Sequence, residues 1–417
     1  MTKHLAMSLF AALFCSTAIG APAAEVPRIG GELRLRGEGF DNALDLCNCT
    51  HDSYEFFRLR TRLWVEADPN ERLRIHIGLA NEHRWGRGPN TAGLRDPEAK
   101  IALESGWAVL EGPKGSGLSL KIGRQNLMFG EGFLIFDGTP ADGSGSAYFD
   151  AIRATWHKHG VEADLLTAKI DDEAFGTESC DEDLYGLFGR KGPIELYLLH
   201  RNQRGAPTRA GGAFHPKQHT TAVGGRFARL PEAGPHVVAE GAYQTGERGS
   251  TNREALGGYV RWGWTAPWKF RPTVELGTLF LPGDDPETSD YEGWDGFYSE
   301  WPKYSELLVY TLYDNTTRIL GDDPGTWTNL RASWLELRLR AGRRVAGSIR
   351  AMRLLACEPN GPGDGDVRGN LLAIRCNVEL MENVTGQLVG ELFDPDDYFA
   401  PGSDPAWYGR WQISARF

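Results

Sequence analysis

The chain has 417 residues, with 56 Asp and Glu against 45 Lys and Arg and a formal net charge of −11, an acidic balance that argues against a nucleic-acid partner. It carries 52 Gly, 13 Trp, 13 Tyr and 19 Phe. Mean hydropathy is −0.39, and past the N-terminal segment no apolar run approaches the roughly 18 residues that a transmembrane helix needs.

Residues 1–24 read as a secretory leader: Lys3 is the basic start, residues 5–19 are apolar, and Ala21-Pro22-Ala23 fits a cleavage site. Leu13-Phe14 before Cys15 does not suit a lipoprotein box, so no lipid anchor is expected. Residues 25–417 then form one domain, without a linker or low-complexity segment. Five cysteines remain: Cys47, Cys49, Cys180, Cys357 and Cys376. Export permits disulfides, but an odd count leaves one over. Cys47 and Cys49 are too close for an easy mutual bridge, and the spacing matches no zinc pattern, so neither metal nor cofactor is expected.

The first mature segments alternate. In "GELRLRGEGF", Glu32, Arg34, Arg36 and Glu38 share one face and Leu33 and Leu35 the other. In "FFRLRTRLWVEADPNE", Arg58, Arg60, Arg62 and Glu66 alternate with Phe57, Leu59, Thr61, Leu63 and Val65. In "ERLRIHIGLANEHRWG", Arg72, Arg74, His76, Glu82 and Arg84 alternate with Leu73, Ile75, Ile77 and Leu79. Period two means strands with unlike faces. A soluble sandwich also alternates, but it rarely needs repeated strands this much longer than about six residues; a tilted membrane-spanning strand does.

Down the chain, tight turns at 68–70, 112–115, 158–160, 190–193, 231–234, 266–267, 342–343 and 382–383 separate longer polar stretches. Those stretches lie near 40–53, 86–99, 128–147, 171–182, 203–217, 246–251, 282–326, 357–369 and 395–405. Short and long connections alternate, as in outer-membrane barrels with short periplasmic turns and long external loops. The spacing predicts an all-β, antiparallel up-and-down transmembrane barrel of about eighteen strands. "YSELLVYTLYDN" (304–315) would make the count odd as a strand, so it is placed in the seventh loop as a short helix. "AWYGRWQISARF" closes the barrel: Trp407, Trp411, Ile413 and Phe417 face lipid, and Arg410, Gln412 and Arg416 the lumen. A terminal aromatic also looks like the signal read by barrel-assembly machinery.

"LKIGRQNLMFGEGFLIFDGTPADGSGSAYFDAIRATW" resembles the alginate export family of outer-membrane porins, through Gly123-Arg124-Gln125 ending a strand and Phe149-Asp150-Ala151, followed by Arg153, opening the next. "LFLPGDDPETSDYEGWDGFYSEWPKYSE" is similar to the family's second hallmark, a Gly-Asp after a strand and an aromatic-rich loop, carried by Gly283, Asp284, Asp290, Trp294 and Phe297. The resemblance implies an 18-stranded barrel whose electropositive lumen passes an acidic polysaccharide.

The residues themselves suggest an anion path. Early strands carry Arg34, Arg36, Arg58, Arg60, Arg62, Arg72 and Arg74 inward; late ones carry Arg338, Arg340, Arg350, Arg375, Arg410 and Arg416. Closure makes these one wall, and Arg grips carboxylates bidentately. Arg124, Arg153, Arg226 and Arg261 are assigned to the same lumenal path, although strict alternation puts Arg124 with Leu120 and Ile122 unless a bulge near Gly123 turns it. The opposing reading has these arginines bracing the wall against Glu32, Glu38, Glu66, Glu336, Glu379 and Glu391. The expected ligand is an acidic polysaccharide or oligouronide, with outer-membrane lipid, assembly machinery and periplasmic secretion components as further partners. A general anion porin and a non-conducting scaffold or adhesin barrel are the alternatives. An enzyme is not expected: His76 is the best lumenal histidine and no Ser stands in a distinctive nucleophile context near it, which leaves His157 and Ser348 as the remaining candidates.

Overall fold

The computed structural model describes residues 26–49, 52–87, 101–136, 149–170, 182–204, 206–207, 214–215, 217–299, 304–308 and 328–417. The strands in chain order are β1 (Arg28–Asp41), β2 (Tyr54–Asn70), β3 (Leu73–Arg87), β4 (Ala102–Glu111), β5 (Leu118–Gln125), β6 (Phe149–Lys158), β7 (Val161–Ile170), β8 (Glu182–Lys191), β9 (Ile194–Gln203) and β10 (Ala206–Pro207). They continue with β11 (Phe214–His215), β12 (Gln218–Arg229), β13 (Gly234–Arg248), β14 (Thr251–Thr265), β15 (Thr273–Leu281), β16 (Leu330–Ala341), β17 (Val345–Leu355), β18 (Val367–Met381), β19 (Val384–Pro395) and β20 (Ala406–Arg416).

Eighteen strands form one antiparallel sheet in which β9 pairs directly with β12, and β20 pairs with both β19 and β1. The sheet is therefore a closed barrel without an edge. β10 and β11 make a separate two-residue ribbon. The eighteen-strand expectation and the alternation of short and long connections hold. One external connection is shorter than the sequence suggests: β13 and β14 run on to Arg248 and Thr251, and Gly249, at φ 65°, turns the chain in the left-handed region that glycine adopts without a Cβ clash.

The two faces separate as period two demands. Leu33 is 47% exposed and its neighbours Glu32 and Arg34 only 3% and 1%. Leu256, Val260, Trp262 and Trp264 face outward and Tyr259 inward; Trp407, Trp411, Ile413 and Phe417 are outward on β20. In the outer membrane this apolar belt meets lipid, with Trp and Phe near the strand ends as a girdle. A one-residue slip of register would invert every face, so the outward apolar set fixes the pairing.

The barrel is not hollow at its external end. Leu127, Phe129, Phe133 and Ile135, from the connection after β5, are buried, as are Trp294, Phe297, Leu307 and Leu308 from the connection after β15. They pack with inward wall residues such as Phe149, Leu184, Leu199 and Phe393 in one apolar cluster. Residues 306–308 are helical. Ser305 caps the turn by accepting from Leu308 N–H, and the Glu391 carboxylate accepts from the N–H groups of Glu306 and Leu307. The rest of the 304–315 stretch, the leader at 1–24 and Cys180 lie outside the described residues.

Cys47 and Cys49 form a disulfide, correcting the expectation from their spacing; their Cα atoms sit 5.1 Å apart, within the ordinary span for a bridge. Cys357 and Cys376 are free thiols.

An insertion test checks the orientation. An epitope placed after Ser289, exposed in the connection after β15, should bind antibody on whole cells. One placed after Lys114, exposed in the turn after β4, should bind only after permeabilisation. The reverse pattern contradicts the orientation.

Candidate functional site

β1, β2, β3 and β20 bring the arginine-rich faces together because β1 is the seam: Arg34 lies opposite Arg60 and Arg36 opposite Arg58 on β2, while Glu38 meets Arg410 on β20. Such like-charge pairs repel unless carboxylates intervene. They do. Glu82 takes Arg34 at 2.9 Å, Arg58 at 2.7 Å and Arg84 at 3.7 Å. Glu32 takes Arg60 at 2.6 Å, Arg416 at 2.9 Å and Arg62 at 4.0 Å. Glu38 takes Arg58 at 2.9 Å and Arg36 at 3.4 Å, and Glu104 takes Arg62 at 2.6 Å. Gln412 accepts from Arg36 at 2.6 Å. The side chains of Arg34, Arg36 and Arg60 are 1–3% exposed, so the wall is a packed ion-pair lattice and not a row of solvated cations.

The other assigned arginines scatter. Arg72 sits in the turn between β2 and β3 and donates to the Glu111 carbonyl at 2.9 Å. Arg74, half exposed at the same rim, pairs with Asp68 at 2.9 Å. Neither lines the wall at mid-depth. Arg124 is corrected outright: it lies on the outward face with Ile122, opposite Asp150, and binds that carboxylate with two bonds of 2.9 Å. The register between β4 and β5 runs through Gly123 without a bulge, so nothing turns Arg124 inward. Arg153 pairs with Asp164, Arg350 with Glu336, and Arg338 and Arg261 share Glu275, which also meets His236 at 3.2 Å. Arg226 pairs with Glu195 at 2.9 Å, and Arg410 meets Glu306 of the connection after β15. Arg340 is exposed at the periplasmic end of β16. Arg375, opposite Ser348 on β17 and Val389 on β19, has no ion-pair partner among the described residues.

Two connections enter the barrel and join. Tyr298 N–H donates to the Leu134 carbonyl at 2.8 Å and Phe136 N–H to the Tyr298 carbonyl at 2.6 Å. Phe133 packs on Trp294 with ring centroids 5.3 Å apart. Asp295 anchors this plug: its carboxylate binds Arg201 at 2.8 Å, Thr220 Oγ1 at 2.8 Å and Phe297 N–H at 2.9 Å, and Arg253 as well. Burial alone would push the Asp295 carboxyl up, but Arg201 and Arg253 outweigh it and hold it down at about 2.

The motif residues serve the same plug. Gln125 donates to the carbonyls of Gly123 and Ala151, tying the external ends of β5 and β6, and Phe149 packs edge-on to Tyr298 at 5.2 Å. Gly123 has φ 117°, and a Cβ there would lie 2.2 Å from the Gly106 carbonyl oxygen. A Cβ on Gly283 would meet Asn329 Oδ1 at 2.6 Å, and Asp284 accepts from Glu292 N–H at 3.1 Å.

One contact was invisible in the sequence. His76 Nε2 lies 2.9 Å from Ser105 Oγ, because a bulge opposite Gly78 and Leu79 turns both Glu104 and Ser105 inward. Nδ1 is 3.4 Å from Glu66 but makes no hydrogen bond, and Ser105 is 7% exposed. The imidazole is instead stacked on Trp107 at 4.8 Å, with Lys121 over the same indole at 4.1 Å. A hydrolase needs an imidazole hydrogen-bonded to an acid and an approachable hydroxyl; here Nδ1 has no such bond and the hydroxyl is buried.

Comparison with known proteins returns a family model described as alginate export over residues 27–343. No curated protein matches the chain in sequence. In structure the chain is similar to Acinetobacter baumannii OccAB4, at a TM-score of 0.61 and 10% identity, covering 93% of this chain and 98% of that one. It is similar to Pseudomonas aeruginosa OpdQ, at 0.60 and 8%, covering 94% and 99%. Pseudomonas aeruginosa OpdK, solved with vanillate, gives 0.59 and 12% over 93% and 98%.

Proposed function

Because the chain belongs to the alginate export family and folds as an outer-membrane porin barrel, we propose that it conducts an acidic polysaccharide or oligouronide along the wall built by β1, β2, β3 and β20. The observation that carries this reading is a charge imbalance inside the lattice. Seven arginines (34, 36, 58, 60, 62, 84 and 416) share four carboxylates (32, 38, 82 and 104). Among the ion pairs of the described residues, guanidiniums therefore outnumber carboxylates in this cluster, with Glu66 beside it on Arg28 at 3.4 Å. Arg375 and Lys121 add cations without an ion-pair partner among the described residues. In a narrow, low-dielectric passage such an excess favours anions, and guanidinium suits a uronate carboxylate because its planar fork can bind both oxygens.

A non-conducting barrel is the competing reading, favoured by the plug and the density of ion pairs. The proposal includes a leader cleaved on export at residues 1–24, recognition of the terminal Phe417 by assembly machinery, and periplasmic secretion components as partners. Purified protein in planar bilayers under a tenfold KCl gradient decides between the readings. The zero-current potential should have the sign of anion preference. A cation-preferring or silent barrel sinks the proposal.

A further inference from the structure

The connection after β5 has an odd composition for a loop. From Leu127 to Phe136 it reads LMFGEGFLIF: apolar or glycine everywhere except Glu131. Folded inside the barrel, this run delivers one carboxylate to a cluster of donors on two strands, β12 and β14. Glu131 Oε1 accepts from Arg226 Nη2 of β12 at 3.0 Å and from Arg261 Nη2 of β14, and Oε2 lies 3.3 Å from the Tyr259 hydroxyl, whose single proton it shares with Glu240 Oε2 at 3.0 Å. Two guanidiniums and a phenol converging on one carboxylate make a recognition site for that group. Its occupant happens to be tethered.

The tether is built to sit there and to leave. Glu131 lies between Gly130 and Gly132, both in the left-handed region at φ 59° and 78°. A Cβ on Gly130 would come within 2.9 Å of Arg226 Cδ, so glycine is what lets the chain close over the arginine. The wall does not depend on Glu131 for compensation, since Arg226 keeps Glu195 at 2.9 Å and Arg261 keeps Glu275 at 3.2 Å. Asp295 differs: its side chain is 2% exposed and its carboxylate is also held by a backbone N–H, whereas the Glu131 side chain is 22% exposed. Asp295 is a fixed clamp and Glu131 a guest that a solute can reach.

We infer that Arg226, Arg261 and Tyr259 form a carboxylate-binding subsite of the pore, and that Glu131 occupies it as a tethered competitor which an incoming uronate carboxylate displaces. This rests on the proposed anion path and names a site and a regulation within it. No covalent step is involved; one carboxylate exchanges for another.

The test is block of single-channel current by trigalacturonate, with maltotriose as the neutral probe of equal length. Glu131→Gln keeps the size and removes the competing charge, so trigalacturonate should half-block at a concentration about tenfold lower than in the wild type, as loss of a charge-assisted competitor implies. Maltotriose should act equally on both. Glu287→Gln, an exposed acid elsewhere in the external connections, should change nothing. An unchanged half-blocking concentration in Glu131→Gln overturns the inference, and so does an equal gain for maltotriose, which would mean a loosened loop. If block by trigalacturonate is weakened by neutralising Arg58, Arg60 and Arg62 yet unaffected by Glu131→Gln, the anion path stands and the tethered competitor falls. Insensitivity of the wild type to trigalacturonate removes both.

Discussion

Replacing Arg58, Arg60 and Arg62 together by Gln should abolish most of the anion preference of the channel. The size of the effect follows from the lattice. Arg58, Arg60 and Arg62 between them contact all four of the carboxylates Glu32, Glu38, Glu82 and Glu104, so their replacement removes three positive charges from the centre of the cluster. Gln retains donors for Glu38, Glu82, Glu32 and Glu104, which limits the damage, but removing one partner of a buried pair costs about 3–5 kcal/mol where nothing replaces it. Folding is therefore read separately from heat-modifiable gel mobility. Arg375→Gln is the companion variant, because Arg375 braces no carboxylate among the described residues and its loss breaks no pair. The triple variant should show a zero-current potential near zero and Arg375→Gln a smaller shift in the same direction. Unchanged potentials in folded proteins would make the arginines braces alone.

Asp295→Ala should open the barrel. Arg201 and Arg253, with side chains 6% and 4% exposed, share this carboxylate. Withdrawing it costs about 3–5 kcal/mol, because it takes the shared carboxylate from two buried guanidiniums at the centre of the plug. The connection after β5 should follow, because it is hydrogen-bonded to Tyr298. Single-channel conductance should rise severalfold, while the wall, whose pairing does not involve Asp295, stays intact. Acid should do the same reversibly. The folded carboxyl sits at about 2, below the unfolded value of about 3.9. Its stabilisation is thus fully present above the unfolded value and lost as pH falls through the folded one. Wild-type conductance should be flat from neutral pH to about pH 4 and rise below it, and Asp295→Ala should lack that transition. A wild-type level already as high as the variant's would show that the plug does not close the pore.

The barrel was legible because two of its signals are local. Alternation separates Leu33 from Arg34 within one strand, and the turns at 68–70 or 382–383 announce themselves by composition. The ion-pair lattice was not legible, since its partners come from different strands: Arg34 meets Glu82, and Arg62 meets Glu104 beyond a bulge. Arg124 shows local periodicity outranking expectation; alternation placed it with Ile122, and there it lies. The plug had a signal that connection length alone conceals. Apolar runs such as LMFGEGFLIF cannot be left in water, and in a barrel whose outside is already apolar the lumen is where they bury.

The central claim is passage of a polyanion along the basic wall, and flux tests it most directly. Proteoliposomes loaded with fluorescent oligouronates or neutral oligosaccharides of equal length would be followed for efflux with the plug released by Asp295→Ala. Faster efflux of the acidic oligomer, reduced to the neutral rate by adding Arg58→Gln, Arg60→Gln and Arg62→Gln, is the expected result. Equal rates, or a faster neutral oligomer, would contradict the account.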